Sequence, residues 1–161
     1  MFGIKEARAE LLNYVSNLSD KEAAFLAENE EWSILDILEH LYVIEKLMSS
    51  EIKQILEKGE RKRAFKQKPL DSTLDRSTKY MAPENMKPSK QFTSILIAKD
   101  KLVSSRQELL EILESYDPSE LKANSGKHPA FGTISVEQWV EFIGLHERRH
   151  LAQIKDMIRR I

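Results

Sequence analysis

Residues 146–150 read His146-Glu147-Arg148-Arg149-His150. Two imidazoles four positions apart on a helix project from the same face, with their ring-bearing carbons about 5–6 Å apart. That spacing suits two nitrogen bonds of about 2.0–2.1 Å to one metal ion. His-Glu-x-x-His is also the letter pattern of a zinc peptidase helix, in which the glutamate acts as general base. The chain has two other histidines, His40 and His128, and no cysteine. Disulfides, thiolate–metal sites and a protein-borne thiol nucleophile are therefore excluded, and any thiol chemistry must use a thiol brought in by a cosubstrate.

Four helical stretches must position these side chains. The first runs from about Ile4 to Leu18, with Ile4, Ala7, Leu11, Val15 and Leu18 at the helical period. The second opens at WSILDILEHL, where Ser33 can cap and Asp36 can complete an acidic capping box; it continues to about Lys58 and stops at Gly59. The third extends from about Ser89 to Ser115 on a stripe of Phe92, Leu96, Val103, Leu110 and Leu113, flanked by Ile95, Leu102 and Leu109, and closes at Asp117-Pro118. The fourth opens at Ser135, with Gln138 completing a capping box, and runs almost to the C-terminus. The three longer helices are about 26 residues each, or about 39 Å. No segment alternates convincingly enough to be a strand. The expected class is all-α: a single four-helix-bundle domain over residues 1–161.

Two connections are long, residues 59–88 and 116–134. The first carries the basic run KGERKRAFKQK, read as a solvated crossover in a chain of balanced charge. A connection of that length can cross the whole bundle, so the helices need not alternate in direction.

On the fourth helix Trp139, Ile143, His146, His150, Ile154 and Met157 form one stripe, so both imidazoles point inward. His40 lies likewise in line with Ile37, Ile44 and Leu47 on the second helix. Together the three could form a facial, three-nitrogen site between two helices. The peptidase reading fails on context: there is no strand to hold an extended peptide, and Asp156 is the one acid after His150. Glu147 is about 100° around the helix from His146 and beside Arg148 and Arg149, a position that reads as a surface salt bridge. His128 heads the HPAFG loop and reads as a surface or turn histidine whose loop could lie over the site mouth. Gln153 faces nearly the same way as His150 and could orient a bound water or fill a polar gap. Arg106 reads as a snorkelling arginine that could meet an anionic substrate group. Trp32 and Trp139 read as packing anchors at helix starts, and Tyr42 lies off the His40 stripe.

The totals exclude several function classes. With 25 basic and 26 acidic residues and a formal charge of -1, nothing points to nucleic acid or an anionic membrane as partner. MFGIKEARAE lacks the apolar core of a signal peptide, and no apolar run approaches the roughly 20 residues that span a bilayer. A soluble cytoplasmic protein is expected.

WSILDILEHL, the linker segment YMAPENMKPS and HPAFGTISVEQWVEFIGLHERRHLAQI together resemble the DinB-like family of bacterial helical bundles, across essentially the whole chain. The resemblance implies an up-down-down-up bundle with a long crossover between helices 2 and 3. It implies a metal triad of His40, His146 and His150, and homodimerisation, which is common in the family. The family includes S-transferases and isomerases that use low-molecular-weight thiols such as bacillithiol or mycothiol. Three neutral nitrogens leave a divalent ion its full charge and at least one open position, the arrangement of a catalytic site. Zinc or nickel is the first expectation, with iron or copper also compatible. The expected function is a metal-dependent thiol S-transferase acting on a small electrophile. The alternatives are a metal-hydroxide hydrolase of a small substrate and a non-enzymatic, metal-stabilised dimeric bundle.

Overall fold

The computed structural model describes residues 3–62, 67–77 and 82–161. Arg63 and Lys66 of the basic run, and Tyr80 and Met81 of the linker segment, lie outside the described residues. The described chain is predominantly helical. Its helices are α1 (Ile4–Val15), α2 (Asp20–Ala24), α3 (Ile34–Lys58), α4 (Ile95–Glu114), α5 (Pro118–Ala123) and α6 (Val136–Arg159). Single 3-10 turns occupy Asp71–Leu74 and Glu84–Met86.

The ends of the long helices follow from local chemistry. The Ser33 hydroxyl accepts from the Asp36 N–H while the Asp36 carboxylate accepts from the Ser33 N–H, a complete capping box. Gly59 closes α3 in the left-handed region, at φ 57°, where glycine carries no Cβ penalty. Ser135 caps α6 through the Gln138 N–H, but the Gln138 side chain does not reach back; it exchanges hydrogen bonds with the backbone N–H and C=O of Lys68. α4 begins later than the sequence indicated, because Ser94 rather than Ser89 supplies the cap.

Strands are present, contrary to the sequence reading. β1 (Ser125–His128) and β2 (Gly132–Ser135) form an antiparallel hairpin in which Gly126 pairs with Ile134 and His128 with Gly132. Four residues per strand are too few to display an alternation. Gly126 lies so close to α3 that a Cβ there would come within 2.4 Å of Ile55 Cδ1.

The α4 core stripe is also rotated from expectation. Ile95, Ala98, Leu102, Leu109 and Leu113 are buried, whereas Leu96 is 69% and Val103 56% exposed. The sequence offers two adjacent apolar stripes, and only the first is covered.

Apolar packing falls into two halves. One gathers Ile4, Met48, Ile52, Leu109, Val140 and Ile143; the other gathers Leu11, Leu38, Leu41, Leu102, Leu151 and Ile154. Between them, at one level, lie Arg8 of α1, Glu45 of α3, Arg106 of α4 and Glu147 of α6. Arg8 Nη2 donates to Glu147 Oε1 at 2.6 Å and to Glu45 Oε1 at 3.3 Å. Arg106 Nε donates to Glu45 Oε2 at 2.7 Å and its Nη2 to Glu147 Oε1 at 3.2 Å. The remaining guanidinium donors reach the carbonyls of Leu102 and Ile4, and the Ser105 hydroxyl donates to Glu45. Glu147 and Arg106 are therefore neither surface nor snorkelling residues: they are 2% and 6% exposed members of a neutral four-charge layer. Burial works against the Arg8 charge, but Glu147 and Glu45 outweigh it and raise its pKa.

The crossover after α3 is tied down at both ends of its course. Arg149 of α6 donates to the carbonyls of Thr73 and Asp75. Farther on, the Glu39 carboxylate accepts from the N–H groups of Ser89, Gln91 and Phe92 and from the Ser89 hydroxyl. Burial pushes the Glu39 carboxyl up, and these bonds more than offset it, holding it below the usual carboxylate value. The basic run is thus only partly a solvated crossover: Arg61 pairs with Glu120, and Lys68 donates to the Phe131 carbonyl at 2.8 Å.

Candidate metal centre

α3 presents His40 and α6 presents His146 and His150 to a common point. One nitrogen from each ring lies within 4.8 Å of the other two. Ring centroids are 5.3 Å apart for His40–His146, 5.0 Å for His40–His150 and 4.6 Å for His146–His150. No carboxylate belongs to the cluster.

The second nitrogens fix the ring orientations. His40 Nδ1 lies 2.7 Å from the Met86 carbonyl, which can only accept, so Nδ1 carries the proton and Nε2 keeps its lone pair. His150 Nδ1 lies 2.8 Å from Gln153 Oε1, with the same consequence. This is the outer-shell arrangement that orients metal-ligating imidazoles. Gln153 therefore orients a ring rather than a water. Met86 is held in place by the crossover that Glu39, the residue before His40, anchors to α3.

His146 Nε2 and His150 Nε2 are 3.2 Å apart. Two nitrogens bonded to one ion at about 2.0–2.1 Å stand about 2.8–3.4 Å apart for angles between octahedral and tetrahedral. Donor type, lone-pair direction and spacing all fit a divalent metal. His40 is 4% exposed, while His146 and His150 keep partial exposure. Desolvation holds all three rings below the ordinary imidazole range, His150 at about 3 and His146 well below, with the neighbouring imidazoles adding to the effect on those two. At neutral pH the cluster is uncharged and offers lone pairs rather than protons.

The site has aromatic walls. Trp32 lies against His40 at 4.9 Å, and Phe142 stacks on His146 at 5.4 Å with 20° between the planes. Trp32, read as a helix-start anchor, is half-exposed and lies over His40. Tyr42 packs on Phe92 instead, away from the cluster.

His128 does not join the triad, nor is it a surface histidine. It is 1% exposed and packed between Trp139, at 4.7 Å, and Phe142, at 4.3 Å. Its Nδ1 accepts from the Ala130 N–H, so the proton is on Nε2, and burial pushes the ring down to about 4. The HPAFG loop thus buttresses the wall behind His146 rather than covering the mouth. Sequence reasoning missed Phe142, Met86 and Glu39. Phe142 and Glu39 each lie next to a residue already placed on a buried stripe, the available signal; nothing in the letters marks a carbonyl such as that of Met86.

No helix among the described residues is long and apolar enough to cross a membrane. The chain is 33% identical to the uncharacterized protein YuaE of Bacillus subtilis (strain 168), over 156 residues covering 97% of this chain and 95% of that protein. Residues 4–154 match the sequence profile of the DinB superfamily. A helical chain with this match along nearly its whole length, and with its three inward histidines gathered at one point, belongs to the DinB superfamily.

Proposed function

We propose that His40, His146 and His150 hold a divalent metal, zinc or nickel, and that the protein is a metal-dependent transferase joining a low-molecular-weight thiol to a small electrophile. The observation that carries this reading is the convergence of three neutral nitrogens with no carboxylate among them. A divalent cation held by such a set would keep its full charge and would supply Lewis acidity able to lower the pKa of a thiol. The chain's own residues do the rest. Met86 and Gln153 fix the rings of His40 and His150, Phe142 stacks on His146, and Trp32 covers His40. The nucleophile must be imported, since the chain has no cysteine. In the transfer the thiol sulfur forms a bond to carbon, the leaving group departs with its electron pair, and the thiol proton passes to solvent.

The pairings between helices support an up-down-down-up order. Glu39 meets Phe92 and Lys46 meets Glu108, so α3 and α4 read as parallel. Arg8 meets Glu147 and Tyr14 meets Lys155, so α1 and α6 read the same way. His40 meets His150, whereas Met48 and Trp139 line one cleft, which reads as α3 antiparallel to α6. The uncovered stripe of Leu96 and Val103 on α4 favours a homodimer through that helix.

The test is turnover. Zinc- or nickel-loaded protein is incubated with 1-chloro-2,4-dinitrobenzene, with and without bacillithiol. Thioether formation above the non-enzymatic rate, lost in His146→Ala, is expected. Thiol-independent consumption of ester or amide substrates would replace the transferase reading with hydrolysis. Metal binding without turnover of either kind would reduce the site to a stabilising one.

A further inference from the structure

The triad and a separate cleft lie toward two ends of the same pair of helices, α3 and α6. On α3 the positions His40, Val43, Leu47 and Glu51 follow one face at helical spacing, and on α6 His150, His146, Phe142 and Trp139 do the same. Val43 and Leu47 are half-buried and Phe142 is buried, so the floor between the two ends is apolar. At the far end the stripes open into a cleft of about 290 Å3, lined among others by Met48, Glu51, Asn85, Met86, Lys127 and Trp139. That volume is near the lower bound of small-molecule sites. Met86 belongs to both ends: its carbonyl orients His40, and the residue lines the cleft.

Two charges of opposite sign line this cleft from different elements. Glu51 comes from α3 and Lys127 from β1. Both are exposed, and neither is paired with a described residue. In the cavity bounded by Glu30 and Arg160 the opposite charges close into a pair at 2.7 Å. Glu51 and Lys127 instead line one cleft without pairing. From His146 to Trp139 the axial distance is about 10 Å, and from His40 to Glu51 about 16 Å, at 1.5 Å per residue. A tripeptide, at about 3.3–3.6 Å per residue, reaches about 10–11 Å, which matches the shorter of these distances.

We infer that the cleft is a distal subsite for the zwitterionic end of an extended, tripeptide-sized substrate, with Lys127 taking its carboxylate and Glu51 its ammonium group while the other end reaches the histidine triad. The inference rests on the triad being the reacting end. It specifies what the proposed transferase reads at the other end: charge pattern and length, not sulfur.

The experiment uses zinc-loaded protein and isothermal titration at low salt with two matched ligand series. The first is 3-mercaptopropionyl-glycyl-X, where X is lysine, lysine amide, norleucine or norleucine amide. These ends are zwitterionic, cationic, anionic and neutral. The second series carries propionyl in place of mercaptopropionyl. The zwitterionic end is expected to bind about tenfold tighter than the neutral one in both series, with each charge contributing roughly threefold, as exposed pairs do. Lys127→Ala should abolish the carboxylate increment and Glu51→Gln the ammonium increment. Equal affinity for all four ends, or an end preference unchanged in both variants, overturns the inference. The sulfur comparison is separate. End preference retained with no gain from the thiol leaves the subsite standing and removes the thiol reading; a thiol gain without end preference does the reverse.

Discussion

The four-charge layer and the histidine triad are neighbours, linked through the adjacent residues His146 and Glu147 on α6. They differ in how their polar groups are satisfied. In the layer, two guanidinium groups and two carboxylates neutralise one another across four helices, and backbone carbonyls take spare donors; Glu147 Oε2 alone of the four residues' carboxylate oxygens is buried with no hydrogen-bond partner among the described residues. In the triad, the outer nitrogens of His40 and His150 are satisfied by Met86 and Gln153. The inner nitrogens face one another, and a neutral imidazole whose outer nitrogen bears the proton turns a bare lone pair inward. A charge-balanced network specifies how four helices align, because sliding one helix by a turn of about 5.4 Å would leave buried charges unpaired. A converging set of lone pairs specifies a guest.

The sharpest way to break this contrast is to unbalance the charged network. Arg106→Met leaves Glu45 and Glu147 short of a partner in the core, and is expected to cost about 3–5 kcal/mol in denaturant unfolding. Replacing Arg8, Glu45, Arg106 and Glu147 together by Met and Leu should cost much less than the sum of single changes, because no charge is then left unpaired. Additive costs would show that the layer is not a single network.

A next, smaller change sharpens the other side. Gln153→Leu removes the acceptor that orients His150 without touching a ligand nitrogen. Metal affinity, measured by competition with a chelator, should fall about 10–100-fold while apo stability changes by less than about 1 kcal/mol. Equal losses of stability and affinity would make Gln153 a packing residue.

The smallest effect tests the link between triad and crossover. Glu39 has a folded pKa below its usual 4.5, so its contribution to stability is full above that pH and is lost as pH falls through the lowered value. Glu39→Gln should therefore destabilise by about 1–3 kcal/mol near neutrality, with the gap to the parent protein closing under acid. A gap that is constant with pH would mean that the carboxylate charge has no part in holding the Ser89–Phe92 segment.

Much of the site was readable in the letters because helical periodicity is a strong signal. Three histidines on apolar stripes could be placed inward, and Ser33, Asp36 and Gly59 marked the limits of α3 by known cap chemistry. The charged layer was readable in principle: Arg8 lies on the stripe of Ile4 and Leu11, Glu45 on that of Leu41 and Met48, Arg106 between Leu102 and Leu109, and Glu147 between Val140 and Leu151. Charge is ordinarily a mark of the surface, and only the balance of two cations against two anions at one level shows why burial is tolerated. Periodicity could not choose between two apolar stripes on α4. Nor could it reveal a hairpin of four-residue strands, or the carbonyl of Met86, whose role depends on a crossover closing back on α3.

The most direct measurement is X-ray absorption at the metal edge of tag-free protein loaded with one equivalent of zinc or nickel, compared with His40→Ala. Three imidazole nitrogens at about 2.0–2.1 Å around one ion per chain, falling to two in the variant, is the result expected. A wild-type protein that binds no divalent ion, or one whose ion sits among carboxylates and is indifferent to residue 40, would contradict the account.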